Sequence, residues 1–266
     1  MVVDDRLRSS ARAASLVPAL TGGAGVLCQI AYPLVHGATR DELTIVIVLL
    51  YAITSLAHAA ITRGASAFVG VVAVTVVFGF AVEVLGVHSG FPFGHYAYDG
   101  SLGARLFGVP LVIAGAWTML AWPAALTARV LVRPFAARVV LGAWALATWD
   151  VFLDPQMVAA GHWRWADPST HLPGVADVPL SNYAGWLLIS ALMSLALQWV
   201  LDRSTARAGV SDLAPRVLYV WTWASSALGF AVFLHLLAAA AWGVVAMGSV
   251  AVPLAARLVR ERAWVA

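Results

Sequence analysis

The sequence predicts an all-α protein, a polytopic integral membrane helix bundle of about eight transmembrane helices. Of its 266 residues 62% are hydrophobic and only 11% are charged, and the mean hydropathy is +0.86. A soluble domain carries roughly twice that share of charge. The apolar residues also come in long runs, and about 20 such residues cross a hydrocarbon core.

Taken in chain order, the spans fall near Ser15 to Val35, Leu43 to Thr62, Ser66 to Val87, Phe107 to Val132, Ala136 to Leu153, Leu180 to Leu201, Pro215 to Leu236 and Ala238 to Leu258. The last two are separated because one helix over that stretch would run roughly 66 Å at 1.5 Å per residue, about twice a bilayer core. A tight turn is therefore expected near Leu237 to Gly243. Residues 1–266 read as a single transmembrane domain without repeats or low-complexity tracts, and the unusual chemistry is concentrated roughly in 83–186.

Charge tests the count independently. With both termini and the even-numbered connections on the cytoplasmic side, that side carries Arg6, Arg8, Arg12, Arg63, Arg129, Arg133, Arg138, Arg203, Arg207, Arg216, Arg257, Arg260 and Arg262. Only Arg40, Arg105 and Arg164 fall outside. Positive residues favour the cytoplasmic face, so the expected location is the cell (plasma) membrane, multi-pass, with N- and C-termini cytoplasmic. The pI of 9.4 then reflects topology and contact with anionic membrane lipid, not nucleic-acid binding. A single cysteine, Cys28, excludes an internal disulfide and reads as a small core residue. Lysine is absent, which excludes a retinal Schiff base. Basic residues precede the first span without a cleavage motif, so an uncleaved helix is expected.

Two stretches interrupt the apolar pattern: Glu83 through Gly103 and Trp149 through Trp165. Ionisable groups inside apolar spans are costly, so Glu83, Asp150 and Asp154 are candidate functional residues by default. Glu83 lies about one turn inside its span, and its other reading is snorkelling or pairing with Arg105. Asp150 and Asp154, four apart, share one helix face. Pro155 follows, so Asp154 alternatively ends the helix, and Asp150 is the favoured acid of the two. His95 and His162 sit in the connections with polar company, whereas His58 and His235 on apolar helices read as hydrogen-bonded core histidines.

The connections spanning 88–106 and 154–179 are rich in glycine, proline and aromatic residues, which predicts compact folded loops. Phe91, Phe93, Tyr96, Tyr98, Trp163, Trp165 and Trp186 are placed to form an interfacial belt, or, clustered with the carboxylates, part of a site. The chain has no His-x-x-His or Glu-x-x-His cluster, no zinc-ligand spacing, no G-x-S-x-G elbow and no phosphate-cradling glycine motif. Asp150-x-x-x-Asp154 is similar to half of the magnesium-diphosphate site of intramembrane prenyltransferases. The second aspartate cluster of such a site is missing, since Asp167, Asp177, Asp202 and Asp212 are scattered through loops.

Longer motifs at the same residues resemble a known family. Glu83, Gly90-Phe91-Pro92-Phe93-Gly94-His95-Tyr96-Ala97-Tyr98, Leu102-Gly103 and Gly108-Val109-Pro110 are similar to the first signature of the CruF-type carotenoid biosynthesis proteins, a carotenoid 1,2-hydratase family. Trp149-Asp150, Leu153-Asp154-Pro155, Met157-Val158, Gly161 and Trp163-x-Trp165 resemble the second, and Val178-Pro179-Leu180-Ser181-Asn182-Tyr183-x-Gly185-Trp186 a third. The chain departs from the pattern at Asp177, where glycine is expected.

The resemblance implies hydration of the terminal double bond of an acyclic carotenoid end group. Protonation at C2 places positive charge on the tertiary C1, which water captures. That chemistry needs an acid, cation stabilisation and a positioned water. A carboxylic acid in an apolar setting keeps its proton, which suits Glu83 or Asp150 as donor. Tyr96, Trp163 and Trp165 are candidates to face the cation, each worth up to about 2 kcal/mol. Asp154, His95 and Asn182 are candidates to hold and deprotonate the water, and Tyr98 and Trp186 complete the expected substrate-binding set. No cofactor and no metal is expected. The expected partners are the carotenoid, water and membrane lipid, with other enzymes of the carotenoid pathway as candidates. The alternatives are a magnesium-dependent prenyltransferase and a carotenoid-binding protein without catalysis.

Overall fold

The computed structural model describes residues 2–207 and 210–263, with side chains described over 16–207 and 210–261. The side chains of Arg6, Arg8, Arg12 and Arg262 lie outside the described residues. The chain forms an all-α bundle of α1 (Val2–Ala31), α2 (Ala38–Arg63), α3 (Ala65–Val71), α4 (Gly79–Ser89), α5 (Val112–Leu131), α6 (Phe135–Ala147), α7 (Asp150–Ala159), α8 (Leu180–Arg203), α9 (Leu213–Leu228), α10 (Leu237–Ala246) and α11 (Gly248–Ala263). A π-helical segment, Val72–Phe78, joins α3 to α4, and a second, Gly229–Phe233, extends α9. Among the described residues six short strands lie in the connections: β1 (Tyr96–Tyr98), β2 (Arg105–Leu106), β3 (Val109–Pro110), β4 (Trp163–Trp165), β5 (His171–Leu172) and β6 (Val175–Pro179).

The bundle is organised around α5. Its alanines, threonines and two tryptophans are buried from Ala116 through Ala128 without interruption. Small residues let neighbouring backbones approach closely, and α2, α6, α8 and α9 pack around it. Among the described residues five helical stretches are long and apolar enough to cross a membrane, or six if the bent pair α10 and α11 counts as one. Helix α5 is not one of the five. A helix enclosed by protein needs no lipid-compatible exterior, so tryptophan, threonine and proline are tolerated within it. Every expected span has a helical counterpart, though fewer than eight meet the length and hydropathy test.

Several boundaries differ from expectation. The fourth span begins at Val112, not Phe107, because Arg105–Leu106 and Val109–Pro110 pair as a small antiparallel ladder. The fifth does not stop at Leu153. After a turn at Thr148 and Trp149 it continues as α7 through Pro155 to Ala159, and Asp154, Pro155 and Met157 are all buried. The C-terminal turn falls at Leu234–Leu236, and residues Leu237 to Gly243 are helical. His235 occupies that turn, exposed and with φ +56°, a conformation that lets the chain reverse. It is therefore not a core histidine. His58 is one: it is buried, accepts from Trp122 Nε1 at 3.0 Å and lies 3.2 Å from the Ser211 carbonyl.

The two ends of the bundle differ in chemistry. At one end the aspartates are paired with arginines: Asp212 with Arg63 at 2.7 Å and Arg216 at 3.4 Å, and Asp202 with Arg129 at 2.5 Å and Arg138 at 2.7 Å. At the other end lie the long connections and the acids Glu83, Asp150 and Asp154.

Candidate active site

Strand pairing builds the aromatic wall. Antiparallel β1 and β4 pair Tyr96 with Trp165, Ala97 with Arg164 and Tyr98 with Trp163. Side chains alternate across a strand, so the four rings share one face while Ala97 and Arg164 face outward, exposed. Tyr98 and Trp163 meet edge to face at 5.5 Å, and Tyr96 lies 5.8 Å from Trp165. Trp165 Nε1 donates to the Phe93 carbonyl at 3.0 Å, fastening β4 to the preceding turn. Helix α8 closes against that turn at Gly185, where a Cβ would sit 2.7 Å from the Pro92 carbonyl oxygen.

Glu83 sits under this wall. Tyr96 OH and Tyr98 OH donate to its Oε2 at 2.5 and 2.9 Å, and Trp117 Nε1 donates to its Oε1 at 3.0 Å. Gly86, one turn on, makes this possible: a Cβ there would stand 2.9 Å from Tyr96 OH. Burial and the neighbouring Glu83 push both tyrosine hydroxyls well above their ordinary range, so they serve as donors at neutral pH. Among the described residues Glu83 has no cationic partner. Arg105 is exposed in β2 and lies beside Gly100 instead.

The other two acids form a pair. Asp150 opens α7 and Asp154 follows one turn later, both fully inside the protein. Asn182, in the first turn of α8, bridges them: its Nδ2 donates to Asp150 Oδ2 at 2.8 Å and also to Asp154 Oδ2. Both carboxyl groups therefore converge on one amide nitrogen. Like charges held side by side in this way oppose full ionisation of the pair.

These groups face a cavity of about 520 Å³. Glu83, Asp154, Asn182, Tyr96, Tyr98, Trp163, Trp165 and Trp186 line it. Asp150 does not: it stands behind Asp154, and among the described residues its Oδ1 has no hydrogen-bond partner. His95 is also outside, exposed over Gly90. His162 is buried behind the loops, its Nδ1 2.6 Å from Ser101 Oγ and its Nε2 3.7 Å from Asp41, where it joins three segments.

The structure adds residues that sequence reasoning did not single out. Trp117 holds Glu83 and stacks on Trp186 at 4.1 Å, and Phe152 and Trp149 extend the wall. Gln29 and Trp221 also line the cavity. Gln29 had a signal, being an amide in the middle of the first apolar span. Trp117 had none, since nothing local distinguishes it from Trp122. Among the described residues no group of three or more His, Cys, Asp or Glu is disposed to hold a metal ion. The arrangement can carry a proton to an apolar guest, accept one from it, and surround the reacting carbons with ring faces.

Comparison with known proteins gives a consistent direction. Residues 43–251 match the family described as carotenoid biosynthesis protein. Over 140 residues the chain is 31% identical to a bisanhydrobacterioruberin hydratase of Haloarcula japonica, a match covering 51% of this chain and 46% of that protein. The match thus spans about half the length of that relative. No solved structure matches the chain.

Proposed function

The chain belongs to the family of carotenoid biosynthesis proteins, and from that premise we propose that it is a carotenoid hydratase, adding water across the terminal double bond of an acyclic end group. The observation that supports the reading is one aromatic-walled cavity lined by two acids, Glu83, which accepts three neutral hydrogen bonds, and Asp154, which Asn182 bridges to Asp150 behind it.

In this reading Asp154 delivers its proton to C2, with Asp150 behind it as the second member of the pair. The π bond supplies the electrons of the new C–H bond, and C1 becomes a tertiary cation. The faces of Trp163, Trp165 and Tyr96 stabilise it, each by up to about 2 kcal/mol. Water bonds to C1 and gives up a proton to Glu83, whose remaining lone-pair site is free to position it. Net addition is one water, and the cycle closes when the proton leaves Glu83 and the aspartate pair regains one from solvent. The Asn182 amide keeps Asp154 turned toward the cavity.

The topology proposal follows from the two ends. Arg63, Arg129, Arg138 and Arg216 gather at the end opposite the cavity, and positive residues favour the cytoplasmic side. The termini are then cytoplasmic in the plasma membrane, with the acids toward the external face. A reporter fused at Ala266 is expected to be active only inside the cell.

The deciding experiment is expression in cells that make lycopene, with mass analysis of the pigments. A gain of one or two waters is expected. A gain of prenyl units, abolished by chelation and restored by magnesium, would establish a transferase instead, and unchanged pigment carried by the protein would establish binding alone.

A further inference from the structure

The cavity is smaller than the guest that the proposed activity brings to it. A volume of about 520 Å³ receives a group of drug-like size. A carotenoid, by contrast, is about as long as the hydrocarbon core is thick, roughly 30 Å. Only one end of such a molecule fits, and the rest has to pass out of the protein.

One part of the cavity lining is built differently from the rest. Two segments form it, and in both the α-helix is interrupted: the 3₁₀ turn Tyr32–Leu34, which contains Pro33, and the π-helical turn Gly229–Phe233. Proline removes a backbone donor, and π turns widen the backbone, so neither segment packs as a regular helix. Ile30 and Leu34 on one side, and Leu228 and Phe233 on the other, line the cavity while remaining 51%, 66%, 59% and 45% exposed. A residue that lines a cavity and is also half exposed marks where it opens, and an apolar rim opens it to lipid. Gln29 Oε1 accepts from Tyr51 OH and Trp221 Nε1, each at 2.8 Å, tying α1, α2 and α9 together beside the gap.

Gly229 lies on this wall with helical backbone angles, φ −59° and ψ −44°, and a Cβ there would meet nothing within 4 Å. Neither conformation nor packing requires glycine at this position. What the missing side chain provides is width.

Resting on the hydratase reading, we propose that the gap between Tyr32–Leu34 and Gly229–Phe233 is a lateral mouth. Through it the apolar tail of a polyene extends into the bilayer while the end group sits at the acids, and Gly229 sets the girth of the tail that passes.

The test compares Gly229→Trp and Leu34→Trp, one from each rim, with Val232→Trp, which lies in the same π turn, 53% exposed and off the cavity wall. Each protein is expressed in lycopene-producing cells, and both retained pigment per purified protein and hydrated product are measured. Overfilling the mouth is expected to lower retention about tenfold or more in the two rim variants, with Val232→Trp matching the unaltered chain. A short acyclic isoprenoid diene with the same end group has no tail, and the rim variants are expected to hydrate it at the unaltered rate. Normal pigment retention and turnover in both rim variants would overturn the mouth. If the unaltered chain retains pigment, the rim variants lose it and no protein hydrates anything, the mouth stands and the hydratase reading falls. If the unaltered chain neither retains nor hydrates the polyene, both fall. The graded series Gly229→Ala and Gly229→Leu covers a tryptophan variant that does not fold: retention is expected to decline with side-chain size, and equal retention across the series would again overturn the proposal.

Discussion

The two ends of the bundle use the same residue types for opposite purposes. Asp202 and Asp212 each lie between two arginines, with oxygens 2.5 to 3.4 Å from guanidinium nitrogens. Glu83, Asp150 and Asp154 are more deeply buried and, among the described residues, receive only neutral donors from tyrosine, tryptophan and asparagine. A carboxylate with a cationic neighbour is held ionised and is chemically quiet. One surrounded by neutral donors in an apolar cavity keeps proton exchange open. Partner identity, more than burial, separates a structural acid from a candidate catalyst.

The largest effect expected from this contrast lies at the cavity. Glu83→Gln and Asp154→Asn are each expected to lower hydration at least about a hundredfold, the scale for removing a general acid or base, while the protein still retains carotenoid. Asp150→Asn is expected to cost less, because Asp150 stands behind Asp154 and reaches no guest. Folded, carotenoid-loaded variants that hydrate at the unaltered rate would erase the distinction between the two ends.

That ordering differs from the one the sequence supports, and the reason is physical. The three acids were legible because charge inside an apolar run is rare. Their ranking was not, because it depends on which face of α7 meets the cavity once the chain turns at Thr148 and Trp149 and runs on through Pro155. Proline usually ends a helix, and here burial of the segment carries it onward. The aromatic loop residues were legible as a set. Their register was not, since β1 and β4 are three residues long, lie far apart in the chain and pair only when the bundle brings them together. The walls contributed by Trp117, Gln29 and Trp221 come from helices whose local sequence reads simply as membrane span.

The arginine end offers the converse test. Asp212 binds Arg63 through both oxygens, at 3.0 and 2.7 Å, and the arginine side chain is largely buried. Asp212→Asn removes charged hydrogen bonds worth about 1.5–3 kcal/mol. Melting of the purified protein is expected to shift down, while hydration per folded molecule well below the melt stays normal. Lost activity with unchanged melting would assign this end a chemical role and dissolve the comparison.

The smallest effect concerns His162, which clamps the loops over the cavity. Its ring touches Ser101 Oγ, with Asp41 and Asp99 the acids facing it. Burial holds the imidazole below its ordinary range, and the attraction of Asp41 and Asp99 offsets this only in part. In the unfolded chain the same ring titrates near its free value of about 6.5. Below that pH the unfolded state therefore binds more protons than the folded one, and stability must fall as the solution is acidified. Above it both states carry a neutral ring, and the contribution is flat. Other acids also titrate over this range, so the informative quantity is the difference in melting temperature between the unaltered chain and His162→Gln. That difference is expected to be constant from pH 8 to about 6.5 and then to move against the unaltered chain as its buried imidazole is forced to charge. A difference that stays constant through the acid range would mean that the folded ring takes up its proton as readily as the free one, and that the loops are not clamped by a neutral histidine.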